Sequence, residues 1–363
     1  MDNIRAFVEQ FKTRYRENTD CWNYEDGCVL KGLIDLYKAS GNPGDRQWVL
    51  DYLARRVTPD GTIPSFRTDS YNLDAINCGK ALFFALDETG DERYRKAADF
   101  LHERLASHPR TAAGNYWHKD IYSEQVWLDG LYMAQPFRAE YDRRFLSGLE
   151  AADIAQQFRN VRAYLYDEDK HLYYHACDMA KAQPWADKET GCSASFWLRA
   201  IGWYLMALVD CVDVMSEQLY EHRRALMDLF LEAIRGVLSY ADPETGLYYQ
   251  VVDRADVPGN YLETSGSAMI AYALLKGVQL GLLDPERYLE PGIKTFQNLV
   301  SHQLALGEDH EWHLNDICLV AGLGPGNKRD GSVAYYLSEK KEPDDPKGVG
   351  PFMMAWAEYL RDH

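Results

Sequence analysis

The 363-residue chain is 46% hydrophobic and 26% charged, with 26 glycines and 14 prolines, which excludes a disordered, collagen-like or small disulfide-stapled protein. Its formal charge of −17 gives a field that repels phosphate backbones and anionic lipid, and no run of lysines and arginines offsets it. Nucleic-acid and membrane partners are disfavoured, and a small-molecule ligand is expected.

In chain order, helical periodicity predicts segments at roughly 2–16, 28–40, 45–57, 72–87, 91–107, 123–142, 148–166, 194–215, 218–240, 262–281, 285–304 and 348–361. They fall into two types. In 218–240 the residues Leu226, Leu229, Phe230, Ala233, Ile234, Val237 and Leu238 make one apolar stripe, and Tyr94, Ala98, Leu101 and Leu105 do the same in 91–107. By contrast, FWLRAIGWYLMALV (196–209) and TSGSAMIAYALL (264–275) are apolar or small almost all round, as in helices buried on most faces. The LYYHA and LYYQVV pieces alternate well enough for short strands, but not for a core sheet.

Alternation of the two types suggests six helical hairpins. Turn-like segments DGTIPSF (60–66), AGNYWHKD (113–120), DKHLYYHACD (169–178), ETGLYYQVVD (244–253) and EDHEWHLNDI (308–317) each precede a buried-type helix, a weak internal repeat. Six such units close either as an open superhelix or as a toroid with an inner and an outer ring. The small and aromatic inner segments favour the toroid, an all-α barrel formed by residues 1–363 as one domain, because no linker or low-complexity tract divides the chain. The loops leading into the inner helices would then gather at one mouth and make a pocket.

Chemistry-bearing residues concentrate in those loops. Trp22, Trp117, Trp127, Trp185, Trp197, Trp203 and Trp312 lie in or beside them, and such rings offer apolar faces with a polar edge, suited to stacking on sugars. Asp129 is a single carboxylate within the apolar run YSEQVWLDGLYMAQPF, where desolvation is expected to raise its pKa toward that of a general acid. Asp74 in YNLDAINCGKALFFAL has the same character, and either acid could instead be a cap or a satisfied core carboxylate. Two acids at equivalent junctions in aromatic surroundings point to glycosidic bond cleavage. Arg199, inside FWLRAIGWY, must find an acid or other acceptors, and its planar fork suits a carboxylate, from the protein or from a ligand. His118, Lys119 and His175 add positive groups nearby, which suggests an acidic ligand.

The blocks WNYEDG (22–27), LDAINCG (73–79), YWHKDIYSEQVWLDGLYMAQPF (116–137), LYYHACDMAKAQPWADKETGCSASFWLRAIGWY (172–204), TGLYYQVVD (245–253) and YLETSGSAMIAYALLKG (261–277) resemble the unsaturated rhamnogalacturonyl hydrolases of glycoside hydrolase family 105. The resemblance implies an (α/α)6 barrel that removes a 4,5-unsaturated uronic acid from pectin-derived oligosaccharides by hydrating the double bond. It assigns the proton-donating acid to Asp129, and to Asp74 a supporting role that includes holding Asp129 protonated through like-charge repulsion. It also places His175, Arg199, His118 and Lys119 near the uronate and the mouth, and Tyr24, Trp197 and Trp203 around the unsaturated sugar. Tyr122, Ser123 and Glu124 stand where the family pattern has a Tyr-Pro pair, which bears on aglycone preference. The 308–336 segment is expected to line the far side of the mouth.

Three other readings compete. A related unsaturated glucuronyl hydrolase acting on glycosaminoglycan fragments shares the two-acid logic; a sugar epimerase on the same barrel would use His118, His175 and His313; a carbohydrate-binding toroid would turn nothing over. The seven dispersed cysteines have no zinc-site spacing and read as reduced thiols, and neither a metal nor an organic cofactor is called for. The charged opening MDNIRAFVEQFKTRYREN has no apolar core of a signal peptide, so a cytoplasmic site is expected.

Overall fold

The computed structural model describes residues 2–15, 21–326 and 328–361. Residue 16 of the first predicted helix and residue 327 of the 308–336 segment lie outside them. The helices are α1 (Asp2–Arg14), α2 (Tyr24–Ser40), α3 (Pro43–Arg56), α4 (Lys80–Thr89), α5 (Glu92–Ala106), α6 (Leu128–Tyr141), α7 (Ala151–Leu165), α8 (Leu198–Val214), α9 (Tyr220–Leu238), α10 (Thr264–Gln279), α11 (Pro285–His302), α12 (Val333–Ser338) and α13 (Pro346–Arg361).

Local chemistry sets the ends of the outer helices. Asn42, Asp91 and Asp284 cap α3, α5 and α11 by accepting from a backbone N–H of the first turn, and Pro43 and Pro285 open α3 and α11 where a missing N–H costs nothing. Gly41 follows α2 in the left-handed conformation, φ 70°, which lets its N–H close on the Tyr37 carbonyl.

Packing then sorts the helices into two rings. α2 packs on α4, α4 and the turn before it on α6, α6 on α8, α8 on α10, α10 on α13, and α13 closes back on α2. Outside this ring lie α3 against α2 and α4, α5 against α4 and α6, α7 against α6, α9 against α8, and α11 against α10 and α13. α1 reaches α13 through Phe7 and Phe352, whose rings are 6.1 Å apart. Each outer helix thus precedes its inner partner, which is the (α/α)6 barrel. Residues Leu198–Val212 of α8 and Thr264–Gly277 of α10 are buried throughout, whereas α9 buries only one face. The inner helices approach so closely that a Cβ on Gly350 would meet the Cys28 carbonyl oxygen at 2.6 Å.

Among the described residues three two-stranded ladders decorate the barrel: β1 (Gln125–Trp127) with β4 (Ala176–Asp178), β2 (Tyr166–Asp167) with β3 (Leu172–Tyr173), and β5 (Leu304–Leu306) with β6 (Trp312–Leu314). LYYHA supplies β3 and the first residue of β4, but LYYQVV makes only single bridges, Tyr249 to Leu262 and Val251 to Trp197. The predicted helix at 72–87 is a 3₁₀ turn, Leu73–Gly79, followed by α4. Long-range contact overrides propensity there: the Asn72 side chain accepts from Asp74 N–H, and Leu73 N–H donates to the His118 carbonyl. For the same reason the predicted helix at 123–142 begins as a strand, because Gln125, Val126 and Trp127 pair with Asp178, Cys177 and Ala176. Among the described residues, no helix is long and apolar enough to cross a membrane.

Candidate active site

The N-terminal ends of the inner helices meet at one end of the barrel. Tyr24 opens α2, Asp74 is the second residue of the 3₁₀ turn, and Asp129 and Arg199 are the second residues of α6 and α8. Neighbouring ends touch: Cys78 Sγ donates to the Asn23 carbonyl, Arg199 Nη1 to Ser265 Oγ at 3.3 Å, and Lys347 Nζ reaches Glu25 at 2.9 Å. The positive ends of the helix dipoles make this mouth receptive to negative charge.

Two carboxylates sit there in different states. Asp74 Oδ2 is 2.6 Å from Lys119 Nζ, and its Oδ1 is 3.6 Å from His118 Nε2. Lys119 is pushed down by burial but pulled up further by Asp74, so its ammonium stays charged and neutralises that acid. Asp129 Oδ2 instead faces the buried His175 Nε2 at 3.2 Å. Burial pushes the Asp129 carboxyl up, but the imidazoles of His175 and His118 pull it further down, below the ordinary carboxylate value. The rise expected from desolvation is therefore reversed. Like-charge support from Asp74 is also displaced, because Lys119 has taken up the Asp74 charge.

Aromatic rings wall the two acids. His118 stacks on Trp127 at 4.8 Å, and Trp127 on Tyr122 at 5.0 Å. Burial pulls His118 down to about 4, which keeps it neutral. His175 packs against Trp197 at 4.6 Å, and its Nδ1 is 2.8 Å from the Tyr336 hydroxyl. Tyr336 in turn stacks on Trp197, whose Nε1 donates to Gln250. Tyr24, Trp203 and Tyr132 form a column, with 6.5 Å between the first two rings and 4.8 Å between the last two. Asp129, Asp74, Tyr24, His118, Lys119, His175, Trp197, Arg199 and Trp203 thus lie at or beside this mouth.

Residues 3–363 match the profile of Glycosyl Hydrolase Family 88. The chain belongs to glycosyl hydrolase family 88. A solved glycoside hydrolase of family 105 from C. acetobutylicum ATCC 824 is 40% identical to it, with a TM-score of 0.93 and 98% of each chain covered. The hydrolase is also 26% identical to the unsaturated rhamnogalacturonyl hydrolase YesR of Bacillus subtilis (strain 168), over 77% of each protein. An unsaturated glucuronyl hydrolase from Bacillus sp. GL1 shares its fold at 16% identity, with a TM-score of 0.67 over 98% of this chain and 94% of that one.

Arg199 of the hydrolase is 1% exposed, and its fork is occupied by Ser265 Oγ and by the carbonyls of Cys318 and Leu319. It lies 4.9 Å over Trp197 and forms no ion pair with any described acid. The 308–336 segment divides: Cys318 and Leu319 hold Arg199 and Gly322 lies against Trp127, whereas Glu311 pairs with Arg14 on α1 and His313 with Asp344. Tyr336, Gln250 and Glu263 were not singled out in the sequence. Glu263 caps α10 and also accepts from Ser265 Oγ and Cys318 N–H. No periodicity marks Tyr336, which lies 161 residues from the histidine it touches.

At the opposite end of the hydrolase barrel a cavity of about 180 Å³ is lined by Lys31, Asp35, Lys80, Asp210, Lys276 and Glu358. Its acids each carry a basic partner: Asp210 Oδ1 accepts from Tyr272 at 2.6 Å and from Lys276 at 2.8 Å, and Glu358 Oε1 pairs with Arg361 at 2.6 Å. Lys80, 3.5 Å over the Tyr132 ring, is pulled down to about 8 mainly by burial. Among the described residues no cluster of His, Cys, Asp or Glu is arranged to hold a metal ion.

Proposed function

We propose that this hydrolase removes a 4,5-unsaturated galacturonic acid from the non-reducing end of rhamnogalacturonan-derived oligosaccharides, with Asp129 as the acid. The observation that carries the reading is the unequal state of the two carboxylates. A conventional glycosidase uses two working acids, one as proton donor and one as nucleophile or base. Here Asp74 is tied to Lys119 at 2.6 Å, while Asp129 has no lysine or arginine partner and faces only the His175 ring at 3.2 Å. A carboxylate not locked to a cation suits a reaction in which the same group gives and takes the proton.

In that reaction Asp129 protonates C4 of the enol ether, and positive charge develops at C5 and the ring oxygen. Water adds to C5 and returns its proton to Asp129. The resulting hemiketal opens and expels the aglycone. A uronate entering beside Asp129 raises its pKa by like-charge repulsion, loading the proton that the free site does not favour. Asp74 with Lys119 orients the water and the His118 ring, while Tyr24, Trp197 and Trp203 stack around the sugar. His175 steadies the Asp129 carboxylate. With its fork already filled, Arg199 supports the Trp197 wall and lends its charge to the uronate site. The reaction calls for no cofactor, and digestion of imported fragments in the cytoplasm fits its small substrates.

The test follows the ultraviolet absorbance of the conjugated uronate in unsaturated galacturonyl-rhamnose, with sulfated unsaturated glucuronyl-hexosamine as comparison. Loss of signal with release of rhamnose, abolished in Asp129→Asn, is the expected result. Turnover of the glucuronyl substrate alone would move the assignment to that relative, and near-wild-type turnover by Asp129→Asn would overturn the mechanism.

A further inference from the structure

Behind the mouth, two cysteines far apart in the sequence reading become cross-strand neighbours. Cys177, in β4, bridges Cys192 in antiparallel register. The flanking hydrogen bonds run from Asp178 N–H to the Gly191 carbonyl and from Ser193 N–H to the Ala176 carbonyl, both 2.9 Å. Cys177 and Cys192 are therefore a non-hydrogen-bonded pair, the register in which opposed Cα atoms come to about 4.5 Å. Directly opposed residues share a face of the ladder, and that spacing falls within the range of about 4.4–6.8 Å across which a disulfide forms.

The side chains agree with the register. A Cβ built on Gly191 would meet Cys177 Sγ at 3.1 Å, so that sulfur lies toward the Cys192 strand. Cys177 Sγ lies 3.6 Å from the Thr190 carbonyl, beside the Cys192 strand, and Cys192 Sγ donates to the Tyr164 carbonyl at 3.0 Å. Cys192 ends a turn in which Asp187 accepts from Glu189 and Thr190 N–H, and residues 187–190 are exposed immediately beside the otherwise buried pair. The other five cysteines are also unbridged.

We propose that Cys177 and Cys192 form a reversible disulfide-modification site, oxidised by a small-molecule disulfide that enters at the 187–190 turn. The Cys192 thiolate attacks one sulfur of the reagent, breaking its S–S bond and releasing one thiolate, which takes up a proton as thiol. The Cys177 sulfur then displaces the second thiol from the mixed disulfide as its own proton leaves. Two protein thiols and one disulfide become one cystine and two small thiols, a balanced two-electron exchange. Its place in the molecule gives it a consequence. β4 pairs on its other edge with β1, which leads into Asp129, and His175 directly precedes β4 with its carbonyl bonded to Leu128 N–H. A cystine would fasten the outer edge of the ladder that holds the Asp129–His175 contact.

The test incubates the folded full chain with graded mixtures of oxidised and reduced glutathione, then alkylates free thiols in denaturant and maps peptides by mass. The expected result is a Cys177–Cys192 cross-linked peptide with the other five cysteines alkylated, reversed by excess reduced glutathione. The oxidised protein should also melt at a higher temperature than the reduced one, a shift absent from Cys177→Ser, in which glutathione remains attached to Cys192. Seven alkylated cysteines under every mixture, a persistent glutathione adduct on wild-type Cys192, or a different cross-link would each overturn the proposal.

Discussion

The two ends of the barrel are built from the same inner helices yet treat buried charge in opposite ways. At the C-terminal end the acids Asp210 and Glu358 lie near the negative ends of α8 and α13, where the helix dipole penalises them, and each has a lysine or arginine within 2.8 Å. At the N-terminal end the dipoles already supply positive character: Asp74 is paired with Lys119, whereas Asp129 has no lysine or arginine on it and faces the His175 ring at 3.2 Å. Helix polarity thus makes the N-terminal end the one where a carboxylate can go without a lysine or arginine partner.

Exchanging one residue at each end should separate these roles. Asp129→Asn is expected to lower kcat by about 10²–10⁴-fold, the range for loss of a general acid, with an unchanged far-ultraviolet circular dichroism spectrum. Lys276→Met should do the reverse, leaving kcat in place while chemical denaturation shows a loss of about 3–5 kcal/mol, because Asp210 and Asp213 lose their shared partner. Equal effects of the two substitutions on both readouts would break the distinction.

Acid should weaken the mouth end first. Burial holds His118, and His108 just past α5 with its Nε2 2.8 Å from the Trp117 carbonyl, at about 4 in the folded protein, against about 6.5 for a free histidine. Both bind protons more readily when unfolded, so their contribution is complete above about pH 6.5 and is lost as the pH falls toward 4, on the order of 3 kcal/mol for each. Urea unfolding at stepped pH measures this, and a flat profile between pH 7 and 4.5 would contradict it. The smallest effect belongs to Tyr336→Phe. Removing the hydroxyl from His175 Nδ1 forfeits about 1 kcal/mol of orientation, which should lower kcat about fivefold and leave KM unchanged.

How far these features could be read in the sequence depends on the range of the forces involved. The stripe on α9 and the all-round apolarity of α8 and α10 are local patterns, so the two helix types and their alternation were legible; six units left an open superhelix or a ring, and the small and aromatic inner segments favoured the ring. The 3₁₀ turn at Leu73–Gly79 and the strand at Gln125–Trp127 were not, because their hydrogen bonds go to His118 and to β4. Asp129 and Asp74 stood out because a lone carboxylate in apolar surroundings is costly unless used or paired. Which of them is paired was invisible, since Lys119 is nearer in sequence to Asp129 than to Asp74 and yet binds Asp74.

Composition and periodicity by themselves determined the helical class and the two-ring alternation, and the motif blocks carried the family resemblance with the site residues it implies, because each of these follows from local pattern. Only the tertiary structure decided the sign of the Asp129 shift, the neutralisation of Asp74, the filling of the Arg199 fork by backbone carbonyls, the Tyr336 contact and the meeting of Cys177 with Cys192. These depend on distances of a few ångströms between distant segments, and Coulomb and hydrogen-bond energies change steeply over that range.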